Sequence, residues 1–327
     1  MLAGTVSAGK HFSDPFKKAA NRVTGFIYND QFDAAANTLD SLSTALPGNP
    51  VVPLFRAVLY QSEMMAEESD RLEDDFYSLL AKVKIGADSM LAAGGDSALA
   101  WYFAGQADAL RSLRRGRSGH TWGALKAGLS AGRAYSKGYS ADSQFFDIGL
   151  GLGSYRYWKS VKGKFLTWAF LLKNEKEEGI ELVRLAVDSS EISSDAAVTS
   201  LIWIYLNEER YPEAIRLAES MHEKYPLGLT FVWALGETYR GMHDWRTAAD
   251  YYRRILERLK SAPGNYYNII EASYYLVICY RQIGDIDSTS DVYTKQVQAD
   301  LRACPIPDNI RKRQSKKIDF ILHEDRH

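Results

Sequence analysis

Six histidines and two cysteines are the side chains of this 327-residue sequence best suited to hold a metal or attack a carbonyl, and their spacing speaks against both roles. His11, His120, His222, His243, His323 and His327 never pair at i, i+4. With no HExxH and no Cys-rich pattern, no metal is expected. Cys279 and Cys304 are too few for a disulfide framework. Cys279, between Ile278 and Tyr280 in an apolar helical stretch, reads as a buried free thiol, which suits a reducing compartment. Gly149, Gly151 and Gly153 alternate as in a phosphate-cradling loop. A dinucleotide fingerprint needs a strand before it and a helix after it, and no strand-like segment flanks these glycines, so close helix packing is the expected role. No Gly-x-Ser-x-Gly elbow and no isolated pair of carboxylates occurs. No catalytic residue and no cofactor is therefore expected, although a triad assembled from distant residues would escape a sequence reading.

Charge adds little on the scale of the whole chain. Forty basic residues against forty-one acidic ones leave a net charge of -1, which disfavours nucleic acid as a partner. Two local basic clusters stand out: Arg111, Arg114, Arg115 and Arg117, and Arg311, Lys312, Arg313, Lys316 and Lys317. Each either binds an acidic group or complements the carbonyls of a helix end. An apolar octet with basic flanks runs from Phe165 to Leu172 and includes Leu166, Trp168, Phe170 and Leu171. It reads as an interfacial membrane anchor, as a plug inserted into a partner, or as an insertion folded back into its own fold. It is far short of the roughly 18 apolar residues a membrane-spanning helix requires.

The elements that must position these residues emerge from a repeat. Leu201, Tyr205, Tyr211 and Ala214 recur 34 residues later as Leu235, Tyr239, Trp245 and Ala248. Within each unit, Val198, Leu201, Ile202 and Tyr205, then Val232, Leu235, Gly236 and Tyr239, follow the i, i+3, i+4, i+7 spacing of a helix with one buried face. A short polar turn follows, and a second helix opens near Pro212 or Trp245. Ala214, Gly236 and Ala248 are small enough to let paired helices approach closely. Looser pairs are expected over 15–48, 50–92, 97–138, 143–188 and 268–301, and one terminal helix over Ile310 to Leu322.

Leu235-Gly236, Tyr239, Ala248 and Tyr252 resemble the tetratricopeptide repeat pattern, with Trp233 one place later than usual. The preceding unit keeps Tyr205, Ala214 and Pro226 but has Ile202 in place of Gly and Ala218 in place of an aromatic, so the chain resembles a divergent member. The segment from Phe146 to Ala186 is faintly similar to the divergent tetratricopeptide proteins associated with inclusion-body clearance in eukaryotes. The resemblance implies an all-α fold: a right-handed α-solenoid of about seven antiparallel helix pairs with a C-terminal capping helix. It also implies that a second stripe on the first helices faces a ligand. Trp203, Trp233, Glu237, Arg240, Tyr274, Ile278 and Arg281 lie on that stripe. The alternative is that they serve contacts between neighbouring helices.

The expected organisation is a flexible tail over 1–14, divergent helix pairs over 15–190 with an apolar insertion near 160–175, regular repeats over 191–301, and a cap with a tail over 302–327. The expected function is a non-enzymatic scaffold or adaptor for a protein or peptide, the alternative being a peripheral membrane scaffold that uses residues 165–172. A cytoplasmic location fits the thiols, or a periplasmic or exported one if the true start lies upstream or the chain is processed near Ala8.

Overall fold

Every regular element among the described residues is a helix. The computed structural model describes residues 11–163, 174–261, 264–284 and 289–323. Sixteen helices follow one another there with no strand between them. They are α1 (Asp14–Tyr28), α2 (Phe32–Ala45), α3 (Val51–Glu67), α4 (Glu73–Ala92), α5 (Ser97–Arg117), α6 (Thr121–Ala141), α7 (Phe146–Gly163) and α8 (Lys176–Ser189). The second half holds α9 (Ser194–Asn207), α10 (Tyr211–Lys224), α11 (Thr230–Gly241), α12 (Trp245–Ser261), α13 (Tyr266–Gly284), α14 (Thr289–Ala303), α15 (Asp308–Arg313) and α16 (Ser315–Leu322).

Six helices are each joined to the next by the same turn. Asp30, Glu68, Gly94, Gly119, Glu209 and His243 all have positive φ. In each case the next residue donates its N–H to a carbonyl five positions back: Gln31 to Phe26, Ser69 to Met64, Gly95 to Met90, His120 to Arg115, Arg210 to Tyr205 and Asp244 to Tyr239, at 2.8–3.1 Å. This is a left-handed helix cap, which satisfies orphan carbonyls and reverses the chain within a few residues. The turns at Glu209 and His243 lie 34 residues apart, so the sequence period is also a period of the backbone.

The chain divides into two compact units. The first contains residues up to Ile27, Gln31–Glu63 and Asp70–Ile204. Within it α4 packs on α5, α5 on α6, α6 on α7 and α7 on α8. Glycines set how closely the later helices approach. A Cβ on Gly153 would lie 2.5 Å from the Gly179 carbonyl oxygen, and one on Gly105 would lie 2.5 Å from the Tyr135 ring. Gly151 also faces Tyr135, and Gly132 faces Tyr155. Gly149 approaches the Leu182 carbonyl. The alternating glycines thus serve helix packing. A separate aliphatic and aromatic cluster, Val23, Ile27, Ala35, Leu39 and Leu59, joins α1, α2 and α3.

The second unit contains Tyr205–His327 together with two stretches from early in the chain, Tyr28–Asp30 and Met64–Ser69. Here α10 packs on α11, α11 on α12, α12 on α13 and α13 on both α14 and α16. α12 shows why the sequence folds this way: Ala248, Ala249, Tyr252, Ile255, Leu256 and Leu259 repeat at helical spacing, and all are buried. The early stretches are held by specific bonds. The Asp30 carboxylate accepts the Leu229 N–H (3.0 Å), Asn29 Oδ1 accepts the Leu227 N–H (3.0 Å), and Tyr28 packs on Tyr225 and Phe231. The Ala66 carbonyl accepts from the side chains of Asn265 (2.5 Å) and Asn268 (2.7 Å).

Two expectations need correction. The single terminal helix is two, because Gln314 leaves helical geometry (φ −106, ψ 14) and is buried while its amide reaches Glu271 (2.7 Å). At the other end, His11 and Phe12 are not tail residues. Phe12 is 5% exposed against Phe16, Tyr102 and Phe145.

Candidate functional site

The second unit carries a connected polar and aromatic constellation built on α11, α12 and α13. Trp233, Glu237 and Arg240 lie on α11 at i, i+4 and i+7, which places them in one row. Glu237 receives the Tyr252 hydroxyl (2.6 Å) and the Arg240 guanidinium (2.6 Å) on its two carboxylate oxygens. Trp233 meets Tyr252 edge-on at 5.9 Å, Tyr252 stacks on Tyr275 at 5.2 Å, and Arg240 lies over the Tyr275 ring at 5.1 Å. Burial, reinforced by the Glu237 charge, pushes the Tyr252 phenol well above its ordinary range, which fixes it as a donor. Burial and the same carboxylate hold Tyr275 up at about 12. Arg240 Nε is buried with no hydrogen-bond acceptor among the described residues.

Tyr274 and Arg281 stand differently. Tyr274 packs edge-on against Phe320 of α16 at 5.0 Å. Arg281 lies over the Phe320 ring at 4.3 Å and donates to the carbonyls of Phe320 (3.0 Å) and His323 (2.6 Å). Lys317 pairs with Glu271 between these contacts. Two of the residues expected to face a ligand are therefore engaged by the chain's own terminal helix. Ile278 is half-buried. Trp203 belongs to the first unit and is 38% exposed on α9. The structure brings Trp233, Glu237 and Arg240 together, and joins Tyr274 to Arg281 through α16.

Phe165, Leu166, Trp168, Phe170 and Leu171 lie outside the described residues. No helix among the described residues is long and apolar enough to cross a membrane. Nor does any group of three or more His, Cys, Asp or Glu side chains there have the arrangement of a metal site. Cys279 is fully buried, and burial pushes its thiol up to about 12, while Cys304 is half-buried.

Two charged clusters in the first unit were only partly foreseeable. Arg114, from the arginine cluster, is 3% exposed and bonds Glu73 (2.9 Å) and Asp70. Asp108 is equally buried and accepts from Lys84 (2.9 Å), Arg111 (2.9 Å) and Ser130 (2.6 Å). Both serve packing, since a buried charge needs its partners. His11 stacks on Phe145 at 3.9 Å, with Nδ1 2.5 Å from Asp96 and Nε2 3.1 Å from Asp142. Each ring nitrogen thus faces a carboxylate oxygen. These contacts span 85 and 131 residues, and no local pattern announces them.

No protein-family model and no curated protein matches the chain.

Proposed function

We propose that this chain is a non-enzymatic scaffold or adaptor of divergent tetratricopeptide type, a right-handed solenoid of about seven helix pairs that holds a protein or peptide partner. The observation that carries the reading is the shared period. Residues 34 apart have the same side-chain character, the same left-handed turn at Glu209 and His243, and the same fully buried alanine at 214 and 248. Repeating hairpins of this kind bury their apolar faces on their neighbours and leave one helix face of each unit for recognition.

On that basis the binding residues are Trp233, Glu237 and Arg240, backed by Tyr252 and Tyr275. An arginine braced by a carboxylate and two stacked rings loses little side-chain freedom on binding, and Trp and Arg are the residue types that dominate interface energetics. Arg240, whose side chain is partly exposed, suits a carboxylate on an apolar or aromatic segment. Tyr274 and Arg281 drop out of this set, since α16 already engages them.

Affinity capture from the native source, comparing wild type with Trp233→Ala/Arg240→Ala, tests the reading. The double variant should lose at least about 2 kcal/mol of partner affinity while keeping its helical circular dichroism. Equal recovery of the same partner by both proteins would place the site elsewhere.

A further inference from the structure

α6 carries two faces of unlike fate. Ala127, Ala131, Ala134 and Tyr135 are buried between α5 and α7. On the opposite side Trp122 is 84% exposed, Leu125 38% and Leu129 39%. Their i, i+3, i+7 spacing makes one row about 10 Å long. Exposed apolar residues scattered singly call for no explanation, but three in register on one helix do. The charges of α6 are all positive: Lys126, Arg133 and Lys137, with no aspartate or glutamate from Thr121 to Ala141. Lys126 and Arg133 are exposed beside the row. At its Trp122 end the row borders an open cleft of about 650 Å3 lined by Glu73, Tyr77, Arg115 and His120.

We propose that this face docks an acidic amphipathic helix of a partner protein. The apolar row would take the partner's leucine-type edge, and the cleft a protruding side chain. Lys126 and Arg133 would pair with carboxylates flanking that edge, the arrangement of a helix laid along an apolar strip. A recess that contains the Glu73 carboxylate fits a side chain better than a flat layer of anionic headgroups. The surface lies in the first unit and α11 in the second, so this docking face and the Trp233 site stand or fall separately.

The test uses the full chain and a fluorescein-labelled synthetic peptide of about 15 residues, with leucines at i, i+3, i+4, i+7 spacing and glutamates elsewhere. A control peptide replaces every glutamate with lysine. The glutamate peptide should bind at least about tenfold tighter, and more weakly as salt rises. Lys126→Glu/Arg133→Glu should abolish that preference, and Trp122→Ala should weaken binding at least about fivefold. All three side chains are exposed, so an unchanged melting curve will separate lost docking from lost folding. Equal affinity for the two peptides, or indifference to Trp122→Ala, overturns the proposal. So does Trp122-dependent flotation with phosphatidylserine vesicles in the absence of a peptide preference, which would assign the face to lipid.

Discussion

Asp147 is a carboxylate with no exposure to solvent, held on α7 by the N–H groups of Glu191 (2.7 Å) and Ile192 (3.0 Å) and by the Ser193 side chain. Burial raises its pKa, and the hydrogen bonds only partly oppose this. For an acid whose folded pKa lies above its unfolded value, the stabilising contribution is complete below the unfolded value of about 4 and is lost as pH rises through the folded one. Wild type should therefore hold its largest stability margin over Asp147→Asn in acid, and the margin should narrow as pH climbs toward neutrality. Urea midpoints for both proteins across that range would show it, and a margin independent of pH would contradict the assigned burial. Nothing in the sequence around Asp147 signals this role, because its donors lie 44 and 45 residues further on. Cys279 is the opposite case. Its apolar neighbours Ile278 and Tyr280 already indicated a buried thiol, and it is fully buried.

At the scale of the helix, legibility followed periodicity. α11 and α12 were readable because small and aromatic residues recur at fixed offsets; of these the structure buries Leu235, Gly236, Ala248 and Tyr252 and half-buries Tyr239 and Trp245. Ala248, with no exposure, lies on the side of α12 that packs, and Gly236 of α11 leaves room for the Tyr252 ring at 3.2 Å. Ala248→Leu should therefore cost about 1–3 kcal/mol through overpacking, read as a lower denaturation midpoint. An unchanged midpoint would mean that the two helices do not meet there. Less could be read where an element is set by one side chain choosing a distant partner. Gln314 breaks the terminal helix to reach Glu271, and no composition rule foretells such a choice. The stripe expected to face a ligand was legible as a pattern but not in its fate, since α16 takes Tyr274 and Arg281 while leaving Trp233 and Arg240 half-exposed.

Across the whole molecule, an array of hairpins must end its apolar surface somewhere, and in the second unit that task falls to α15 and α16. Ile318 is 5% exposed and Ile321 fully buried, both within the cluster that includes Leu276, Val277 and Leu301. Ending the chain at Cys304 would uncover that surface. The shortened protein should lose on the order of 3 kcal/mol from the burial of these side chains and should bind a hydrophobic dye that the intact protein excludes. Identical melting and no dye binding would show that the helices are ornaments on a core already closed. That residues 28–30 and 64–69 join the second unit was not legible, because the bonds that hold them span nearly 200 positions.

The glycine-lined contacts among α5, α6, α7 and α8 bear on how this stretch can change over generations. Tyr135 fills the space left by both Gly105 and Gly151, and Tyr155 the space left by Gly132. A methyl gained at any of these glycines would sit 2.3–2.5 Å from the ring opposite, so an alanine there calls for a second change that shrinks or moves the ring.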